Sequence, residues 1–299
     1  MIGFRLINLL PPGTPSNFTL STQAGHWLVS KSSTFATDLP KINQGMCAET
    51  YDLVFPLPSD NTRSVVKSAA FDELLPICLA MSFVTGMAVT FQRSMPNSAI
   101  SFVQVGPHFP RPRGMNGAML CVSTIDEFVN FVERFTVQYP ILDSSEKLRL
   151  LSHYYIDACS SWSLEDLYLS GSTLLQIIAG TEESSGRPFA FAHAATKRNS
   201  GARSRNMAKP SFFNFLAGAA NRAGISTLRH DVVGVRNSLI HNGTLKSARL
   251  QTQVDAAQPI AEAMQWVDDY IYSILQLGSV PIRRHIAHNY AYAMNSFSF

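Results

Sequence analysis

The sequence predicts an α+β protein: a mixed, β-rich N-terminal domain over residues 1–140, a four- or five-helix bundle over residues 141–280 and a C-terminal tail over residues 281–299. Three observations carry this. Up to about residue 113 the apolar residues come in short β-branched and aromatic pieces, TYDLVFPL, MAVTFQ and AISFVQV, separated by Pro, Gly, Asn and Ser. From residue 143 onward apolar residues recur at helical spacing instead. The chain of 299 residues is 46% apolar, enough for one or two packed cores.

Taken in order, the opening run MIGFRLINLLPPG has one basic residue, a short apolar stretch stopped by Pro11 and Pro12, and no small-residue cleavage site, so it is not read as a signal peptide. Residues 74–91 then run for 18 positions without a charge, at the lower threshold of a membrane span. Pro76, Ser82, Thr85, Gly86 and Thr90 favour a buried helix that ends on Gly86 as a left-handed cap, followed by a strand from Met87. Residues 125–137 read as a bridging helix, with Tyr139 and Pro140 as its stop.

The first bundle helix opens on Asp143 and Glu146 as a capping box and carries Leu148, Leu151, Tyr155 and Cys159 inward. A second follows with Ser163 and Asp166 as a cap pair and Leu167, Leu174, Leu175 and Ile178 as its stripe, until Gly180. The short link between them implies an antiparallel pair. A third covers about residues 212–222 and ends near Gly224, and a fourth starts after Ser226 or Thr227. The last runs from Asp255 or Pro259 to Leu277, with Ile260, Met264, Val267, Ile271 and Ile274 inward and Gly278 and Pro281 as its end.

Lys and Arg total 24 against 21 Asp and Glu, and a net charge of +3 says little about partners. Any basic surface is local. Residues 181–210 carry Arg187, Lys197, Arg198, Arg203, Arg205 and Lys209 and no acid after Glu183, which reads either as a solvated linker or as a phosphate-binding arm. Cys47, Cys78, Cys121 and Cys159 lie far apart without a C-x-x-C pair, which fits a reduced, cytoplasmic compartment. The tail, with two Arg, two His and several aromatics, reads as a docking strand or a disordered end.

Chemistry concentrates in STLRHDVVGVRNSLIHNG, residues 226–243. At about 100° per residue, Leu228, Val232, Val235 and Leu239 fall in one stripe, the core side. His230, Gly234, Asn237 and His241 lie opposite, with Arg236 on the flank. A solvated helix face is the ordinary reading of such residues. Gly234 argues for a close contact, since a helix-interior Gly costs about 1 kcal/mol against Ala.

The segment RNSLIHNG, Arg236 to Gly243, resembles the signature of HEPN domains, an Arg followed by a polar residue and then a His after four to six positions. Arg187 with His193 and Arg283 with His288 repeat the spacing, but one has Pro188 after its Arg and the other follows Gly278 and Pro281. The resemblance covers about residues 143–278, and the β-rich segment ahead of it is similar to the ApeA-like branch. It implies a HEPN bundle whose late helix bears the motif, with two protomers pairing so that their motifs form one composite RNase site. Arg236, Asn237 and His241 would then be catalytic, His230 and Gly234 would touch the partner copy, and Lys197, Arg198, Arg203 and Arg205 would hold RNA. No cofactor, metal or membrane enters this scheme. By the same analogy the N-terminal domain senses or selects, the trigger is a phage component or a nucleic-acid signal, and the setting is host defence or a toxin-antitoxin system.

These groups suit RNA cleavage by the neighbouring 2′-hydroxyl, which needs a base, an acid and positive charge on the phosphorane. A histidine can serve either proton role. Arg236 offers an always-charged fork matched to phosphate oxygens, and Asn237, one turn before His241, can hold the imidazole or a phosphate oxygen. The eight histidines are scattered without a zinc pattern, and there is no G-x-x-x-x-G-K-[ST] loop or G-x-S-x-G elbow. The alternatives are a catalytically inactive HEPN scaffold that binds RNA or protein, and a helical interaction module.

Overall fold

Alternation along the N-terminal apolar run makes it strand β1 (Ile2–Ile7), whose Ile2, Phe4 and Leu6 are fully buried while Arg5 faces outward. The computed structural model describes residues 1–99, 119–186, 211–229, 232–245, 250–294 and 296. Within them the architecture is α+β. Strands β2 (Asn17–Ser21), β3 (His26–Lys31), β4 (Glu49–Phe55) and β5 (Thr90–Ser94) join β1 in an antiparallel sheet of order β2-β3-β4-β1-β5. Phe4 pairs with Leu53 and Leu6 with Tyr51, so the inner face is a continuous apolar layer. On the outer face Arg5 lies 3.4 Å from Asp52, and Arg93 grips Glu49 through two hydrogen bonds of 2.8 and 2.9 Å.

Helices α1 (Phe35–Asn43) and α2 (Arg63–Asp72) precede α3 (Leu74–Thr85), and Gly86 caps α3 at φ 63° as its sequence predicts. The Ser82 hydroxyl accepts from the Val89 amide at 2.9 Å, ties the following segment back to α3, and delays β5 until Thr90 rather than Met87. The segment Arg63–Thr85 is long and apolar enough to cross a membrane, and 67% of its apolar window is buried within the protein. Phe83 stacks on Phe131 at 5.3 Å and tilts against Tyr155 at 4.5 Å. Most of AISFVQV lies outside the described residues.

Helix α4 (Ile125–Glu146) opens with a Thr124–Glu127 capping box and does not stop at Pro140. Pro140 sits on the solvent side, where its lost hydrogen bond is cheapest, while Phe135 and Leu142 hold the flanking turns in the core. The boundary expected at residue 140 therefore falls inside a helix. Lys147, in the left-handed region at φ 58°, makes the break, and α5 (Leu148–Cys159) follows at once. Asp143 and Glu146 form no capping box. Instead the Arg149 amide donates to Asp143 Oδ1 at 2.9 Å, and Glu146 is buried.

Helix α6 (Leu164–Ser184) begins on Ser163, which accepts from the Asp166 amide at 3.1 Å, and runs through Gly180, because Thr181 is buried and Glu182 is anchored by Arg222 beyond it. It touches α5, α7 (Phe212–Ala223), α8 (Val232–Asn242) and α9 (Gln253–Ile274). Gly224 caps α7 at φ 66°, and Thr252 with Asp255 forms the capping box of α9. Arg222 bridges Glu146 at 3.1 Å and Glu182 at 3.0 Å, and the Tyr270 hydroxyl donates to Glu146 at 2.7 Å, which joins α4, α6, α7 and α9.

A Cβ added at Gly171 would lie 2.6 Å from Ile260 Cδ1, so this glycine sets how closely α6 approaches α9. Gly171→Leu is expected to lower stability by about 1–3 kcal/mol through overpacking. Gly171→Ala needs only a small shift of the Ile260 tip. Urea denaturation of both variants checks this, and equal stability in all three proteins would show that the approach is set elsewhere.

The tail docks. Arg284 and His285 are buried, and α10 (Ala287–Ala293) packs on α9. Asp268 on α9 receives Arg284 through bonds of 2.8 and 3.0 Å, and the Tyr155 hydroxyl donates to the same carboxylate at 2.6 Å. Arg284 Nη1 also donates to the carbonyls of Phe83, Val84 and Met119 at 2.7, 3.1 and 2.7 Å.

Candidate functional site

Two bonds position the chain before α8. The Ser273 hydroxyl donates to the Ala223 carbonyl at the end of α7, and the Trp266 indole donates to the Ser226 carbonyl at 2.8 Å. Residues 226–229 are not helical, so Leu228 lies off α8, half-buried in the approach to it. The expected stripe of four is correspondingly thinner. Val232 alone on the helix is fully buried, while Val235 and Leu239 are half-buried. Helix α8 is thus a surface element packed along one edge, mainly on α6. It ends on Gly243 at φ 68°, whose amide donates to the Leu239 carbonyl at 2.9 Å.

Asn237 and His241 are exposed on α8, and Arg236 is half-buried. Arg236 Nη1 donates to Asn237 Oδ1 at 3.2 Å, so two of the three motif residues are joined. Arg236 Nε is buried without a hydrogen-bond partner among the described residues. Among the described residues no hydrogen bond connects His241 to either. One turn separates Asn237 from His241, close enough for their side chains to flank one ligand group. Arg236 and His241 are five residues and about 140° apart around the helix. One chain therefore presents an arginine-amide couple and a single imidazole on adjoining faces.

Gly234 is half-buried in the first turns of α8. His230 and the basic residues Lys197, Arg198, Arg203 and Arg205 lie outside the described residues. Among the described residues no three His, Cys, Asp or Glu side chains converge as a metal site.

Two features escaped the sequence reading. One is the buried group of Tyr155, Asp268, Arg284, His285 and Tyr290, in which Tyr155 Oη meets His285 Nε2 at 2.6 Å and Tyr290 bonds its other ring nitrogen. Burial opposes the Asp268 charge, yet Arg284 and His285 hold its carboxyl well below the usual carboxylate range. Burial, reinforced by Arg284, keeps the His285 imidazole below the usual histidine range despite Asp268 at 3.3 Å. The other is a cleft of about 610 Å³ between α9, residues 226–229 and residues 283–287.

The signal for the first was present in the sequence. Met264, Asp268 and Ile271 follow helical spacing, so an acid stands in the apolar stripe of α9 and calls for a buried cation. No protein-family model, curated protein or solved structure matches the chain.

Proposed function

We propose that this protein is a HEPN-type endoribonuclease that cleaves RNA by attack of the neighbouring 2′-hydroxyl, without a metal, as a homodimer paired through α8. The observation that carries the reading is the joined Arg236 and Asn237 beside an exposed His241 on a surface helix. In this scheme the Arg236 fork binds the phosphate oxygens, with Asn237 fixing its orientation. His241 moves a proton to or from the reacting oxygens, and the partner copy supplies a second imidazole for the opposite role. The N-terminal sheet domain acts as the sensing or selecting part, answering a phage or nucleic-acid trigger in the cytoplasm.

Incubating the purified protein with total RNA in EDTA and mapping the ends tests the chemistry. The expected products carry 2′,3′-cyclic phosphate or 3′-phosphate and 5′-hydroxyl ends. Loss of cleavage in chelator that magnesium restores, or 5′-phosphate products, would overturn it.

Pairing has its own test. Ile240 is 49% exposed on α8, one turn beyond Arg236. In a two-fold contact through this helix Ile240 would be buried, and Ile240→Asp should dissociate the dimer and reduce cleavage together, with little change in melting temperature. Light scattering that finds a fully active monomer would remove the composite site.

A further inference from the structure

The cleft beside α8 has a built interior. One face of α9 supplies its floor, with Glu262, Gln265 and Asp269 at helical spacing, and two exposed arginines, Arg229 and Arg283, stand in its walls. The Trp266 bond to Ser226 fixes one wall to the floor. His285, held by Tyr155 and Asp268, fixes the other.

The chemistry of this interior is lopsided in a useful way. Gln265 is 2% exposed, and its Nε2 donates to Asp269 Oδ1 at 3.5 Å, yet its Oε1 has no hydrogen-bond partner. The Asp269 carboxylate gives the floor its acceptor, the Glu262 carboxylate being engaged by Gln258 at 2.6 Å, while the walls offer guanidinium groups for an anion. A ligand that satisfies both carries adjacent N–H donors at one end and a negative group at the other. The volume lies within the usual range for a small-molecule site.

We propose that this cleft binds one guanine nucleotide of the RNA, its phosphate on Arg229 and Arg283 and its N1–H and 2-amino edge on the two oxygens of the half-buried Asp269 carboxylate, one of which Gln265 Nε2 already holds. Among the four RNA bases guanine presents two adjacent donors on its pairing edge. Uracil presents one donor between two acceptors, which the Asp269 carboxylate would repel. The cleft lies at the N-terminal end of the helix that carries Arg236, since Arg229 precedes α8 by three residues and Arg236 is about 6 Å along its axis. For its RNA the inference rests on the endoribonuclease reading; for binding it stands alone.

Asp269 is half-buried, and burial raises its carboxyl above the usual carboxylate range, with Arg283 opposing. A guanine edge donating to it would favour the ionised form.

Calorimetric titration of the full chain with GMP, IMP, AMP and UMP tests the proposal, alongside mapping of the bases next to the cuts in RNA. GMP should bind at least about tenfold tighter than IMP, which lacks the 2-amino group, and tighter still than UMP. Asp269→Asn should erase that preference. Arg283→Ala, on an exposed wall where folding is not at risk, should weaken all four nucleotides alike. Equal affinity for the four, no binding to a folded protein, or Arg283-dependent binding of a zwitterionic dipeptide in place of nucleotides would overturn the assignment. Cleavage without guanine preference or GMP binding sinks the cleft and leaves the nuclease, whereas selective GMP binding without cleavage does the reverse.

Discussion

His241→Ala is expected to lower RNA cleavage by at least about 100-fold, since a positioned proton-transfer group contributes roughly 10²–10⁴. The melting temperature should hardly move. His241 is exposed, and among the described residues no hydrogen bond ties it to Arg236 or Asn237, so its loss belongs with surface substitutions, within about 0.5 kcal/mol. Arg236→Ala should be as damaging to cleavage. Its stability cost is small too, because among the described residues the guanidinium bonds only Asn237 and its Nε has no partner to lose. Arg236→Lys keeps the charge without the fork, and recovers only part of the activity if phosphate is held by two parallel bonds. A gel assay with labelled RNA, run beside circular dichroism of each variant, reads both quantities. Undiminished cleavage in His241→Ala would take the proton transfer away from α8, and a large fall in melting temperature would make the residue structural.

Much of the frame was legible because it depends on local signals. Gly86 and Gly224 end α3 and α7 in the left-handed region, and Ser163 caps α6, as their positions in the sequence predict. The errors come where packing overrode a local signal: α4 passes Pro140 and α6 passes Gly180 because buried neighbours hold the turns on either side. For α8 the error runs the other way. A tidy apolar stripe reads as a core-facing helix, yet its approach is non-helical and only Val232 is buried. The motif residues Arg236 and Asn237 meet as their adjacency allows. The cleft could not be read, because Arg229, Gln265 and Arg283 are brought together only by the docking of the tail.

Arg284→Met should be the most destabilising single change in the described protein, about 3–5 kcal/mol, which is on the order of 10 °C in melting temperature. Among the described residues Arg284 is the one cation bonded twice to the buried Asp268, and it also serves three backbone carbonyls from the α3 end and residue 119. Its removal leaves a charged carboxylate and those acceptors in the core. Adding Asp268→Asn to Arg284→Met should recover part of the loss, since the double variant buries no charge, and a double-mutant cycle measures that recovery. The same group gives the fold an acid limit of known sign. Asp268 and His285 both have folded values below their unfolded ones, so the unfolded chain binds more protons as pH falls and each contribution is complete only above the unfolded value. Stability should therefore fall first below about pH 6.5 as unfolded His285 charges, and again below about pH 3.9 on account of Asp268. His285→Gln should remove the first step and leave the second; an unchanged decline between about pH 7 and 5 would place the proton uptake on another group.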